Sequence, residues 1–75
     1  MPRLPRISGA EAIRALEQLG FEQVRQRGSH VVLKRLGESK VTGCVVPLHN
    51  ELASGTLRGI LKQAGVGIED FISKL

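Results

Sequence analysis

The chain has 75 residues, of which 11 are Lys or Arg and 7 are Asp or Glu, and its formal net charge is +4. A chain this short supports one hydrophobic core and buries only about 60% of the surface that its unfolded form exposes, so neither a second domain nor a deep enclosed pocket is expected. We therefore expect a single domain over residues 1–75 with its site on an open face, and the basic balance favours a polyanionic partner.

Residues 1–6 are predicted to form an extended basic arm ahead of a core at residues 7–75. Two prolines oppose helix formation in the arm, while Arg3 and Arg6 can contact an anion. The uninterrupted apolar stretch of a signal peptide does not follow, and no apolar run approaches the roughly 20 residues of a membrane span. We expect a cytoplasmic protein without a membrane partner.

The first helix begins with a capping box, in which Ser8 and Glu11 each satisfy a backbone amide of the other. Gly20 stands where a helix commonly ends in a left-handed residue, and Phe21 begins an extended segment that runs through Arg27. The apolar stripe of the helix consists of Ala12, Ile13, Leu16 and Leu19.

A hairpin is predicted after Arg27. Gly28-Ser29 interrupts the extended pattern, and residues 30–35 resume it. Residues two apart along a strand share a face, so this strand has one apolar face and one mixed face. The apolar face carries Val31 and Leu33, and the other carries His30, Val32 and Lys34.

A second turn and a third strand complete an antiparallel meander. The turn occupies residues 37–40, the strand runs over 41–46, and Pro47 closes it because proline offers no backbone amide. Gly43 is expected to weaken this strand or to mark a bulge. Cys44 is predicted to be a small buried hydrophobe. With one Cys and two His, a four-ligand Cys/His zinc site cannot be assembled.

Two helices follow the loop that contains His49. Ser54 is predicted to cap the second helix, which ends at Gly65. The apolar positions of that helix are Leu57, Ile60, Leu61 and Ala64; those of a short third helix are Ile68, Phe71, Ile72 and Leu75. This order predicts a two-layer α+β domain, with a three-stranded antiparallel sheet, helices on one face and the other face open.

The segment Gly28-Ser29-His30 is the main candidate for chemistry. The cations near it in sequence are Arg25, Arg27, Lys34 and Arg35. RNA carries its own nucleophile, the 2′-hydroxyl, so cleavage requires removal of that proton, stabilisation of charge on phosphorus and departure of the 5′-oxygen. Histidine exchanges protons near neutral pH, and Lys or Arg stabilises the anion. An isolated histidine on a basic strand is also typical of a solvated surface residue.

His49 allows three interpretations: an RNA contact, a second proton-transfer group or a solvated loop residue. No paired carboxylates accompany either histidine in sequence, which disfavours a two-metal nuclease. Phe21 and Phe71 are the only aromatic residues and suit the core, so base stacking is not expected as a main binding mode. Backbone and shape contacts would carry the binding.

A DNA-binding helix-turn-helix is an alternative for the carboxyl-terminal half. Residues 57–75 resemble two helices around a glycine-containing turn at 65–67. The charge opposes this interpretation, because Glu69 and Asp70 would face phosphates while only Lys74 would attract them.

The whole chain resembles the HicA family of toxin-antitoxin ribonucleases, which have a double-stranded-RNA-binding-domain-like fold. Only the arm before Ile7 falls outside the resemblance. It implies metal-independent cleavage of mRNA with His30 as the catalytic residue, and inhibition by a HicB-type antitoxin that covers the site. The segments that carry it are Leu19-Gly20-Phe21, Arg25-Gln26-Arg27-Gly28-Ser29-His30, Val46-Pro47-Leu48-His49, Gly55-Thr56-Leu57-Arg58 with Ile60-Leu61, and Ala64-Gly65 leading to Phe71.

We therefore expect an endoribonuclease toxin that uses no metal or cofactor and in which His30 transfers the proton. Its expected partners are mRNA and a HicB-type antitoxin. The alternative is a non-catalytic RNA-binding module of the same shape. The expected RNA-contacting residues are Gly28 and Ser29 in the turn, Arg25, Arg27 and Lys34 on the strands, and His49 in the loop.

Overall fold

The computed structural model describes residues 3–75, so Met1 and Pro2 of the predicted arm lie outside the described residues. The three strands form an antiparallel sheet in the order β1-β2-β3. This is the predicted α-β-β-β-α order with a short helix at the end. The elements are α1 (Gly9–Gln18), β1 (Glu22–Arg27), β2 (His30–Leu36), β3 (Val41–Pro47), α2 (Ser54–Ala64) and α3 (Ile68–Ile72).

The capping box at the start of α1 is present. The Glu11 amide donates to Ser8 Oγ at 3.1 Å, and the Ser8 amide donates to Glu11 Oε1 at 3.0 Å. The hydrogen bond from the Ser8 backbone, followed by that from its hydroxyl, lowers the pKa of the Glu11 carboxyl. Gly20, with φ of 97°, follows the helix in the left-handed region. These local signals place the first helix as predicted.

The core lies between one sheet face and the helices. Val31 and Leu33 of β2 are buried on this face, whereas His30 and Lys34 are exposed on the other. Both α1 and α2 pack on β3. The two-layer α+β architecture is therefore confirmed, with one sheet face left open. Other side chains in the core include Ala12, Leu16, Phe21, Cys44, Val46, Leu57, Leu61, Ala64 and Phe71.

Two predictions about helix boundaries are wrong. Ser54 does not cap α2: the N-cap is Ala53, Ser54 is the first helical residue, and no side chain caps this end. The third helix ends at Ile72, so Leu75 lies beyond it and is 51% exposed. Of its four predicted apolar residues, only Phe71 is buried. This segment is too short for a complete apolar stripe.

Gly43 does not mark a bulge in β3. The register between β2 and β3 is continuous and pairs Lys34 with Gly43. A Cβ at this position would lie 3.1 Å from the Leu33 carbonyl oxygen, so glycine here allows a close approach to β2. The sheet irregularity instead lies in β1, between Gln23 and Arg25. In residues 3–75, no helix has the length and apolar character needed to cross a membrane.

Candidate functional site

Hydrogen bonds from β1 and from the loop after β3 fix the turn that precedes His30. Arg27 pairs with His30 across a two-residue loop, whose first residue, Gly28, has a φ of 55° that favours glycine. The Gln26 side-chain amide donates to the Gly28 carbonyl at 3.0 Å. On the other side, a loop amide donates to the Ser29 carbonyl at 2.6 Å. His30 therefore begins β2 from a defined backbone position, and its side chain is exposed.

A β-bulge decides the direction of the two arginines of β1. Residues 21, 25 and 27 are separated by even numbers, so an unbroken extended segment would place all three on one face. Phe21 is buried towards the helices, with 2% of its surface exposed. The register shift between Gln23 and Arg25 reverses the facing of the second half of β1 relative to the first. Arg25 and Arg27 therefore face away from the core.

The open sheet face brings these arginines together with His30 and Lys34. Arg25 pairs with Val32, and Arg27 pairs with His30. Directly paired residues share a face, with Cβ atoms about 4.5–5.5 Å apart. Lys34 lies two residues beyond Val32 and so shares that face as well. A shallow depression of about 390 Å³ lies here, lined by Val24, Arg25, Val32 and Lys34. The result is an exposed cationic surface with an imidazole at one end.

Arg35 does not belong to this surface, although it lies close to His30 in sequence. Its guanidinium carbon lies 4.7 Å from the centroid of the Phe21 ring, and its Nη1 donates to the Leu19 carbonyl at 3.2 Å. The side chain is half-buried and satisfies a carbonyl at the end of α1. Its role is structural, joining the sheet to the first helix.

His49 lies at the same end of the sheet as His30. Pro47, the last residue of β3, pairs with His30, and the Leu48 amide donates to Ser29. The carbonyl of His49 accepts a hydrogen bond of 2.9 Å from the Gly9 amide at the start of α1. Two histidines from different parts of the chain thus come to one end of the domain.

The geometry disfavours a helix-turn-helix. The segment that would serve as recognition helix, α3, has only five residues, and Glu69 and Asp70 are exposed on it. A recognition helix must present several side chains to the major groove, and exposed carboxylates there oppose phosphate contacts. The cationic surface lies instead on the sheet.

The chain matches a known protein family. A family model described as the HicA toxin of bacterial toxin-antitoxin systems matches residues 9–66, which extend from α1 through α2 and include His30 and His49. The protein is therefore of the class of bacterial toxins that pair with an antitoxin. Specifically, the chain belongs to the HicA toxin family, as the resemblance predicted, and this membership implies a cognate antitoxin. A comparison with curated proteins found no significant match.

Proposed function

We propose that this toxin is an endoribonuclease that cleaves mRNA, with His30 as the proton-transfer group. The observation that supports it most is the position of His30: exposed, at the end of a hydrogen-bonded turn, and on the same open face as three cations. A flat basic face suits an extended polyanion better than a small molecule.

The proposed reaction uses the 2′-hydroxyl of RNA as nucleophile. The His30 imidazole takes the 2′-hydroxyl proton as the 2′-oxygen forms its bond to phosphorus, and the bond between phosphorus and the 5′-oxygen breaks. Arg25, Arg27 and Lys34 stabilise the charge that develops on the phosphoryl oxygens. One positioned acid or base contributes about 10²- to 10⁴-fold to such a reaction. The products are a 2′,3′-cyclic phosphate and, once the departing 5′-oxygen has taken up a proton, a 5′-hydroxyl end.

The side-chain arrangement supports a reaction that does not depend on a metal ion. Within residues 3–75, no three His, Cys, Asp or Glu side chains lie together as metal ligands would. Both proton transfer and charge stabilisation are available from His30 and the strand cations alone. We expect cleavage to continue at an unchanged rate in excess EDTA, and loss of cleavage in EDTA would contradict this part of the proposal.

We propose a HicB-type antitoxin as the partner that covers this face. Apolar side chains lie exposed among the cations, with Val24 52% and Val45 37% exposed. Specific interfaces combine an apolar centre with a polar rim of complementary charge. The antitoxin surface should therefore be apolar at its centre and acidic at its edge. Binding there would exclude RNA from His30 by direct competition.

The decisive experiment compares purified wild-type protein with the His30→Ala variant on a labelled mRNA fragment. We expect the variant to bind RNA with near wild-type affinity and to cleave it about 10²- to 10⁴-fold more slowly. Circular dichroism checks that both are folded. Arg14→Ala, an exposed cation on α1, serves as a control that should leave cleavage unchanged. Equal cleavage by wild type and His30→Ala would refute the assignment.

RNA binding without cleavage by the wild type would instead favour the non-catalytic RNA-binding module. In that case the strand cations would still be required for affinity, but His30→Ala would change affinity alone. Growth of cells that express each variant provides a second readout, since a ribonuclease toxin should stop growth only when His30 is present.

A further inference from the structure

The start of α1 lies directly against the segment that carries His49. A Cβ on Gly9 would overlap the Pro47 carbonyl oxygen and would lie 3.1 Å from the Leu48 Cα. Both neighbours are backbone atoms, which cannot move aside as the end of a flexible side chain can. The Gly9 amide donates to the His49 carbonyl at 2.9 Å. Only glycine allows the helix and this segment to approach so closely.

The same segment is tied to the turn that precedes His30. The Leu48 amide donates to the Ser29 carbonyl at 2.6 Å, one residue beyond the pairing of Pro47 with His30. The backbone on either side of His49 is thus held by a helix and by a turn, while its imidazole remains exposed. A fixed backbone with a free, titratable side chain is the arrangement that proton transfer requires.

The spacing allows both imidazoles to reach one phosphate. Paired Cα atoms in an antiparallel sheet lie about 4.5–5.5 Å apart, and consecutive Cα atoms about 3.8 Å. The Cα atoms of His30 and His49 are therefore separated by at most about 13 Å, the sum of one pairing and two chain steps. Cleavage of RNA needs two proton transfers on opposite sides of phosphorus, and two side chains extending from such positions can flank it.

We infer that His49 is the second proton-transfer group of this reaction and that Gly9 is a positioning residue that holds it. The role rests on the proposed function. As His30 removes the 2′-hydroxyl proton and the bond from the 2′-oxygen to phosphorus forms, the bond from phosphorus to the 5′-oxygen breaks. The protonated His49 imidazole gives its proton to that 5′-oxygen. His30 ends protonated and His49 neutral, so protons and charge balance without a further reactant.

A substrate with sulfur in place of the 5′-bridging oxygen tests this role directly. A thiolate leaves without protonation, because thiols are acids with a pKa near ~8.5. On ordinary RNA we expect His49→Ala to lower the cleavage rate by about 10²- to 10⁴-fold. On the sulfur substrate the same variant should cleave at close to the wild-type rate, whereas His30→Ala should remain slow on both. Asn50→Ala, the neighbouring loop residue, is the matched control.

The outcomes separate the two proposals. Equal loss on both substrates would make His49 a phosphate contact or a structural residue and would overturn the inference while leaving the proposed function intact. An unchanged rate in His49→Ala would do the same. Full activity of His30→Ala, or no cleavage by wild-type protein, would overturn the proposed function and with it this role of His49.

Gly9 is tested through its dependence on His49. We expect Gly9→Ala to slow cleavage of ordinary RNA but to have no further effect in a His49→Ala background, since coupled residues are not additive. The sulfur substrate should restore the rate of Gly9→Ala, which general structural damage would not allow. Gly59→Ala, where a Cβ meets nothing within 4 Å, is the control. If Gly9→Ala does not fold, replacement of the Gly9 backbone amide by an ester in a synthetic chain removes the hydrogen bond to the His49 carbonyl without adding a Cβ. Additive losses in either case overturn the positioning role.

Discussion

Deletion of Val24 tests the β-bulge that directs the arginines of β1 onto the open face. The register pairs Gln23 with Leu33 and Arg25 with Val32, so Val24 is the extra residue between them. Removing it leaves both pairs in place and converts the bulge into a regular ladder. We therefore expect the deletion protein to fold with the same faces exposed.

The expected energetic cost is small. Val24 is 52% exposed, and complete burial of a valine is worth about 1.5–3 kcal/mol, so about half of that is lost. One residue fewer needs to be ordered, which offsets about 1–2 kcal/mol. The free energy of unfolding should change by no more than about 1 kcal/mol. If Val24 were instead a regular ladder residue, its deletion would move Phe21 out of the core, at a cost of about 3–5 kcal/mol.

Urea denaturation followed by circular dichroism measures this difference. Deletion of Val45, which pairs with Val32 in the continuous ladder between β2 and β3, is the matched control and should cost several kcal/mol, because it must move Cys44 or Val46 out of the core. Equal losses in the two deletion proteins, or a loss above about 3 kcal/mol on removal of Val24, would refute the bulge assignment and the facing of the arginines that follows from it.

Three further predictions concern individual side chains. Arg27→Ala should weaken RNA binding and reduce the slope of log affinity against log salt by about 1, as measured by a salt titration, whereas Arg14→Ala on α1 should change neither. Arg35→Ala should lower the free energy of unfolding by about 2 kcal/mol, because it removes a charged hydrogen bond to a carbonyl and a cation–π contact; a loss of cleavage at unchanged stability would contradict this structural role. Burial raises the pKa of the Cys44 thiol from 9.0 to about 11. Its contribution to stability should be complete below pH 9 and decline as pH rises towards 11, because the unfolded thiol ionises first. Urea denaturation between pH 9 and pH 11 should show a larger decline in the free energy of unfolding for wild type than for Cys44→Ala. The same pH dependence in both proteins would refute the prediction.

The elements themselves follow largely from local sequence patterns. The capping box, Gly20 and the spacing of apolar residues predicted α1, and the alternation around Val31 and Leu33 predicted β2 and its facing. Such patterns depend on residues within a few positions of each other, so they can be seen before the chain folds. The errors concern the ends of the second and third helices. Ser54 is a good cap by residue type, yet the helix begins one residue earlier in the chain, at an Ala53 N-cap.

At Gly43, too, the sequence was not sufficient to predict the local structure. A glycine in a strand is typical of a bulge or of a close backbone approach, and sequence alone cannot choose between the two. The continuous pairing of β2 with β3 shows that Gly43 allows a close approach of the β3 backbone to the Leu33 carbonyl. The bulge in β1 could have been detected from one conflict: Phe21 requires the core face, while Arg25 and Arg27, at the same parity, require the open one.

The sequence by itself determined two features of His30: it follows a glycine-containing turn, and it lies on the face of β2 opposite the buried Val31 and Leu33. Both follow from residues within a few positions of each other, because turn formation and strand alternation are local. Only the tertiary structure decided which cations accompany it. The bulge turns Arg25 and Arg27 towards His30, while Arg35 is used to join Phe21 to the end of α1. Tertiary structure also brought His49 to the same end, through contacts of Gly9 and Ser29 with β3 and the loop after it. The bulge leaves a local trace in the shared parity of Phe21, Arg25 and Arg27, but the positions of Arg35 and His49 depend on contacts between segments far apart in the chain, which no local pattern of residues encodes.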